Sequence, residues 1–182
     1  MTWFIHALII FALAVQVVPA GLSLNVGSDR LKALMATAIM VVVQTLMLGF
    51  GRLLSGSFMH LIAGWANGIV FAVFFMIGIR MIMDAFKIRK GKVAYRLEEP
   101  KFMLLTSIAQ SINSFLAGMM FYFFGNINFQ TSLIAIFLLT TFMILPAIYT
   151  VQDRTSRSFA SLLYMIGGLI FVFSSFYLGF TL

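Results

Sequence analysis

Two short polar patches, AQSINS at residues 109–114 and AVQVVPAG at residues 14–21, interrupt apolar runs that are long enough to cross a membrane. Each patch lies in the first apolar run of one half of the chain. Because lipid does not hydrate amides or hydroxyls, such groups should face protein or water inside a helix bundle. If the protein handles a solute, its site is expected at these patches.

The composition places the chain in the membrane class. The 182 residues are 62% hydrophobic and 9% charged, and the mean hydropathy is +1.07. A soluble domain carries about 25% charged residues, so a chain with this little charge could not cover a water-facing surface. The absence of cysteine excludes thiol–disulfide chemistry and thiolate metal sites.

Charge patterning gives a topology. Six apolar segments, each close to the ~20 residues that a spanning helix needs, are predicted at residues 2–24, 33–50, 59–83, 102–124, 131–150 and 158–180. The loops after segments one, three and five carry ten Lys and Arg residues, and those after two and four carry only Arg52. Basic loops are cytoplasmic, so both termini are expected outside. The net charge of +7 then reflects topology and not nucleic-acid binding.

The two halves of the chain predict an inverted repeat. Because an odd number of segments, three, precedes the central loop, the second half crosses the membrane in the opposite orientation to the first half. Residues 43–48 line up with 139–144, and 68–71 with 168–171. The predicted fold is an all-α integral membrane protein with six transmembrane helices in a 3+3 inverted-topology repeat. Its parts are a first repeat at 1–86, a basic cytoplasmic loop at 87–101 and a second repeat at 102–182.

Several stretches together resemble the MntP-type manganese efflux pumps, small six-helix transporters related to the LysE superfamily. GIRMIMDAF at residues 78–86 is similar to that family's Gly-Gly-Arg-Met-Ile-x-Glu-Gly-Phe at the end of helix three. Residues 106–114, 11–16 and 167–168 match family segments in helices four, one and six, mainly by position and order. The resemblance covers nearly the whole chain and implies a transporter fold.

The departures from the family pattern concern charge. The family's intramembrane carboxylates in helices one, two and four fall on Gln16, Gln44 and Asn113. Mn²⁺ favours carboxylate, carbonyl and water ligands, and amides offer only neutral oxygen. We therefore expect altered or lost cation chemistry, with no metal site.

Polar residues near the middle of the segments form the candidate substrate path. They could line a cavity for a neutral solute or a weakly held ion, or they could simply hydrogen-bond across helices, at about 0.6 kcal/mol per bond. Both interpretations stay open. The set is Gln16, Gln44, Thr45, Gln110, Ser111, Asn113, Thr140 and Thr141.

Two further features have positional meaning. Pro19 and Gly21 are expected to break segment one past its middle, as discontinuous helices do at transporter sites. Arg80 and Asp84, four residues apart on a helix, are expected to pair as an anchor at the inner membrane interface.

Two functions are consistent with these patterns. The first is a small inner-membrane transporter with a manganese-exporter-like fold that moves a cation or small solute. The second is a non-transporting integral subunit or scaffold of a membrane complex. The sequence has no nucleophile–base set and no phosphate loop, so neither catalysis nor a cofactor is expected. The expected partners are the lipid bilayer and other membrane-complex subunits or further copies of the chain, with no nucleic acid.

Overall fold

The computed structural model describes residues 2–24, 29–92, 99–125 and 128–181, and these residues form helices and connecting turns without a strand. Short 3₁₀ segments at Met59–Trp65 and Phe121–Phe124 follow the third and fifth α-helices. The α-helices are α1 Thr2–Val15, α2 Val18–Ser23, α3 Arg30–Phe58, α4 Ala66–Arg89, α5 Pro100–Met120, α6 Phe129–Tyr149 and α7 Arg154–Thr181.

Five helical runs in the described residues are long and apolar enough to cross a membrane. One of them, Arg30–Arg89, has 60 residues, which would measure about 90 Å as one straight helix. That is about three times the hydrocarbon core of a bilayer. The 3₁₀ segment Met59–Trp65 divides this run into α3 and α4. The chain is therefore a multi-pass membrane protein, and α3 and α4 correspond to the second and third predicted segments.

Helices of one predicted half pack against helices of the other. Within the described ranges, α3 packs on α5 and α6, α4 on α7 and α5, and α1 with α2 on α6 and α7. All the extensive contacts between α-helices cross from the first predicted half to the second. The apolar core is thus shared between the halves. The repeat boundaries themselves stay a prediction, and much of the predicted 87–101 loop falls on residues 93–98, outside the described ranges.

Glycine pairs allow two of these crossings to be close. A Cβ atom at Gly51 of α3 would collide with the carbonyl of Phe115, and one at Gly118 of α5 would collide with the carbonyl of Leu48. Small residues at such positions let helix backbones approach within van der Waals contact. The two helices are therefore held together along a tight seam.

The second seam joins α4 to α7. A Cβ atom at Gly78 would lie 2.7 Å from the carbonyl oxygen of Gly168. The internal alignment makes Gly68 the repeat equivalent of Gly168, which concerns position in the repeat and not contact, and Gly68 has open space around it. The sequence did not predict which residue lies opposite Gly168.

The first span lies at the centre of the bundle. In its most apolar window 78% of the residues are buried, compared with 33–44% in the other spans. Residues 12–16 are almost completely inaccessible. Any irregularity in this span is therefore enclosed by other helices and not by lipid.

Candidate functional site

The central span is interrupted by the turn Gln16–Val17, which separates α1 from α2. The N–H of Gln16 donates to the carbonyl of Leu13 at 3.3 Å, and that of Val17 to Ala14 at 3.5 Å. These bonds reach back three residues instead of four, so the α-helical ladder ends here. Non-helical backbone at membrane depth is tolerated only where protein or water satisfies it.

Pro19 explains the position of the interruption. Proline has no N–H, so the Val15 carbonyl loses the donor that a continuous helix would give it. Pro19 itself lies in the first turn of α2, where its fixed φ suits a helix start. The predicted break thus lies just before Pro19. Gly21 is not part of it: a Cβ there would lie 2.8 Å from the Cβ of Ala147, so this glycine lets α2 pack closely on α6.

Side-chain amides from α3 and α5 satisfy the interrupted backbone. Gln44 Nε2 donates to the carbonyl of Leu13 at 2.6 Å. Gln110 Nε2 donates to the carbonyl of Gln16, and Asn113 Nδ2 donates to Gln16 Oε1 at 3.0 Å. We call Gln16, Gln44, Gln110 and Asn113 the amide cluster. Three members are at most 4% exposed, and Gln110 is half-buried.

The other four predicted path residues lie outside these contacts. Thr45 and Thr141 are half-buried, and each hydroxyl donates to the carbonyl four residues earlier in its own helix, at 2.9 Å and 2.8 Å. Such bonds serve the helix that makes them. Ser111 and Thr140 are buried, and no bond found in the described residues joins either to the amide cluster.

The amide cluster keeps unused hydrogen-bonding capacity. Within the described structure, Gln16 Nε2, Gln110 Oε1 and Asn113 Oδ1 are buried without a hydrogen-bond partner. The same holds for the hydroxyl of Ser114, one residue beyond Asn113. Buried polar atoms are nearly always paired in folded proteins, so each exception calls for an explanation. Ser114 was not among the predicted site residues, although its place four residues after Gln110 puts it on the same face of α5.

The surroundings of the amide cluster carry no formal charge. No Asp, Glu, Lys or Arg is among the buried residues of the described ranges. Nowhere in those ranges do three His, Asp or Glu side chains lie close enough to hold a metal ion. A doubly charged ion would enter this site without a counter-charge and at a high desolvation cost. The residues present do not fit tight Mn²⁺ binding.

A cavity of about 360 Å³ lies between the N-terminal half of α1 and α6. His6 lines it and is buried, with Nε2 3.1 Å from Ser132 Oγ and its ring edge-on to Phe121 at 4.5 Å between centroids. The sequence did not predict this cavity, because an isolated histidine in an apolar run does not indicate one. Other lining residues are Trp3, Ala7, Ile10, Asn128, Thr131, Ala135 and Leu139.

A second cavity of about 630 Å³ lies between α2, α6 and α7, at the opposite end of the first span. Val18, Pro146 and Phe159 are among the residues that line it. No member of the amide cluster lines either cavity. The cluster therefore lies along the first span between two cavities and belongs to neither.

The predicted ion pair of Arg80 with Asp84 forms near the end of α4, and Asp84 has a further partner; its role as an anchor at the inner interface stays a prediction. Arg80 Nε lies 3.9 Å from Asp84 Oδ2, whereas Lys87 Nζ lies 2.7 Å from Asp84 Oδ1. Both cations are about half exposed. Ion pairs with this exposure contribute little to stability, so the group marks the helix end and does not form a site.

The chain is similar to proteins of one family. A family model described as "Putative manganese efflux pump" matches residues 27–178. The putative manganese efflux pump MntP of Bacteroides thetaiotaomicron is 31% identical over 100 residues, which make up 55% of this chain and 51% of that relative. The chain thus aligns with about half the length of this curated relative, which is named as a pump and not as an enzyme. No solved structure matches. The chain belongs to the putative manganese efflux pump family.

Proposed function

We propose that this protein is a transporter of the bacterial inner membrane that moves a small cation or polar solute through a neutral site. The observation that carries this proposal is the amide cluster at the break in the central helix. Transporters bind their substrates near the middle of the membrane, where discontinuous helices expose backbone groups. The family relationship supports transport, and the chemistry of this chain's own residues sets what it can carry.

Transport through this site needs the helix break to open and close. The bonds from Gln44 to Leu13 and from Gln110 to Gln16 tie α3 and α5 to the central span. Hydrogen bonds between membrane helices are worth about 0.6 kcal/mol on average, so they can exchange in every cycle. Opening toward one cavity and then the other would give the substrate access from each side in turn.

The topology proposed for this transporter is six spans with both termini outside. Division of the 60-residue run at Met59–Trp65 supports six spans instead of five. The excess of Lys and Arg in alternate loops supports the orientation. Reporter fusions at both ends of the chain would test it, and a reporter that is active in the cytoplasm at either end would contradict it.

Compared with relatives that carry carboxylates at these positions, the proposed transporter holds divalent ions weakly. In cells that lack their own manganese exporter, the unmodified chain should restore manganese tolerance poorly. The double variant Gln16→Asp, Asn113→Asp supplies two carboxylates and should restore tolerance at least ~10-fold better, since a buried counter-charge is worth more than 1.4 kcal/mol. Gln152→Glu adds a carboxylate at an exposed site and is the matched control.

Full tolerance conferred by the unmodified chain would contradict the weakened divalent chemistry. If Asn113→Ala then abolished that tolerance, the amide cluster would still be the transport site, but it would carry Mn²⁺ in spite of its neutral oxygens. If neither the unmodified chain nor any variant moves a cation or a small polar solute, the transport proposal fails.

The second candidate is a non-transporting integral subunit of a membrane complex. It is favoured by the three amide N–H donors, which already bond within the bundle and hold it closed. Extraction in mild detergent followed by mass spectrometry of intact complexes would separate the two functions. A stoichiometric partner together with no measurable flux would establish the subunit.

A further inference from the structure

Unpaired amide oxygens belong to two residues that contact the break in the central helix. Gln110 and Asn113 both direct their amide N–H groups at Gln16, so their own oxygens lie beside the same residue. Both oxygens are buried and unpaired in the described structure, as is the hydroxyl of Ser114 on the same face of α5. Two amide oxygens of residues that contact Gln16, and one hydroxyl on the same face of α5, are therefore available to hold a ligand.

The backbone adds another oxygen of the same character. Pro19 cannot donate to the Val15 carbonyl, which is the last carbonyl of α1. The carbonyl groups at a helix C-terminus point out of its end and carry the negative pole of the helix dipole, which favours cations. The 14-residue α1 thus directs partial negative charge toward the break, where Gln110 and Asn113 contact Gln16.

The absence of formal charge at this site limits the charge of the cation that it can bind. Carbonyl-type oxygens replace the hydration shell of monovalent ions in selectivity filters without any formal counter-charge. The idealised desolvation cost rises with the square of the charge, so a divalent ion costs about four times as much as a monovalent ion of equal size. Among metal ions, neutral oxygens on their own match the monovalent class.

We propose that the amide cluster binds a monovalent metal cation, Na⁺ or K⁺, at the α1–α2 break. The ligands are Gln110 Oε1, Asn113 Oδ1, Ser114 Oγ and the Val15 carbonyl. The unpaired amide donor of the cluster in the described structure, Gln16 Nε2, suits the oxygen of a water molecule that the ion retains. This inference rests on the proposed function for the role of the ion as cargo or coupling ion, but binding can be measured without transport.

The test is thermal unfolding of the purified full-length protein in detergent, with NaCl or KCl compared with choline chloride at equal ionic strength. A ligand that binds only the folded state stabilises it in a saturable manner. We expect the melting temperature to rise by about 3 °C or more in one of the alkali salts. MnCl₂ and CaCl₂ at matched ionic strength test the divalent class.

Ser114→Ala is the most informative variant. Its hydroxyl makes no hydrogen bond in the described structure, so the variant should fold and keep its melting temperature in choline chloride. It should lose at least half of the shift in the alkali salt. Asn113→Ala should lose all of it. Thr141→Ala removes a hydroxyl that bonds within its own helix and should keep the full shift.

Three results would overturn the inference: no difference between alkali salts and choline chloride, a shift that survives in the double variant Asn113→Ala, Ser114→Ala, or saturable stabilisation by Mn²⁺ where the alkali ions give none. Failure of the proposed function is a separate result. If the protein binds an alkali ion but shows no flux in proteoliposomes, the transport proposal fails and the ion has a structural role. If it transports another solute but binds no alkali ion, only the proposed ion site is refuted.

Discussion

The first span and α5 each begin one predicted half of the chain and each carry a polar patch, yet they differ in backbone. The first span is broken at Gln16–Val17, whereas α5 continues without interruption from Pro100 to Met120. The proline of α5 lies at its first turn, where a missing N–H costs nothing. Pro19 follows Gln16 in the first span, and its missing N–H ends the α-helical hydrogen bonds of α1. One patch therefore offers a backbone carbonyl and a side-chain oxygen, and the other supplies the two amides that donate to them.

This difference shows how equivalent positions can take complementary roles. Gln110 and Asn113 of α5 donate to Gln16, and Gln16 contributes its carbonyl and its side-chain oxygen. The burial of the two spans differs in the same direction, 78% for the first span and 39% for the span that contains α5. The broken helix is thus enclosed, and the intact helix holds it.

The largest effect is expected where α5 meets α3. Gly118→Leu would force a side chain into the Leu48 carbonyl, and overpacking against backbone costs about 3 kcal/mol or more. We expect loss of folded protein, measured as monodisperse yield in detergent. Gly68→Leu, at a position with open space around it, is the control. A normal yield of Gly118→Leu would mean that the seam does not hold α5 in place.

The next effect concerns the donors of α5. Asn113→Leu leaves Gln16 Oε1 buried without its donor, which costs about 1–3 kcal/mol. The free energy of unfolding should fall by that amount, and transport should be lost. Gln130→Leu replaces an exposed amide and should change neither. If both variants behaved alike, the contacts between the two patches would not stabilise the bundle.

Pro19→Ala would make the first span resemble α5. The new N–H can bond to the Val15 carbonyl, so we expect hydrogen exchange around residues 16–19 to slow and stability to rise by about 1 kcal/mol. Transport should fall because the proposed site lies at the break. Pro146→Ala, in α6, is the matched control for loss of a proline. Faster exchange near Gln16 in the Pro19 variant would contradict the role given to this proline.

The smallest effect is expected at Thr45 and Thr141. Their hydroxyls bond to their own helices, so substitution by Val should change stability by less than about 0.5 kcal/mol. Flux should stay unchanged. A loss of flux in either variant would extend the path beyond the amide cluster and weaken the contrast between the two patches.

The sequence predicted the burial of three amides for a physical reason and left the orientation of their polar neighbours undecided. Amides within apolar runs must turn inward, and Gln16, Gln44 and Asn113 are buried. Neighbouring polar residues such as Gln44 and Thr45 point about 100° apart on a helix, so only one of them could face the core. The sequence pattern did not indicate which of the two faces the core. In the structure Gln44 is buried and Thr45 is half exposed.

Local rules also could not assign the packing roles of two glycines. Proline and glycine were both expected to break the first span, but the missing N–H acts on the carbonyl four residues earlier, and Gly21 serves packing against Ala147. The internal alignment concerns equivalent positions and not contacts, so it did not tell that Gly78 lies opposite Gly168. Apolar runs resemble one another at many registers, so sequence similarity alone could not fix the crossing point.

The sequence by itself determined that this is an all-helical, multi-pass membrane protein of the manganese efflux pump family. Each apolar run and each family motif can be recognised from neighbouring residues alone, without knowledge of tertiary contacts. The sequence also determined that the polar interior is neutral, since no carboxylate is present at those positions. Only the tertiary structure decided which amide meets which carbonyl and where unpaired oxygens remain. Those contacts join residues up to 97 positions apart, and their geometry depends on how helices from the two halves pack.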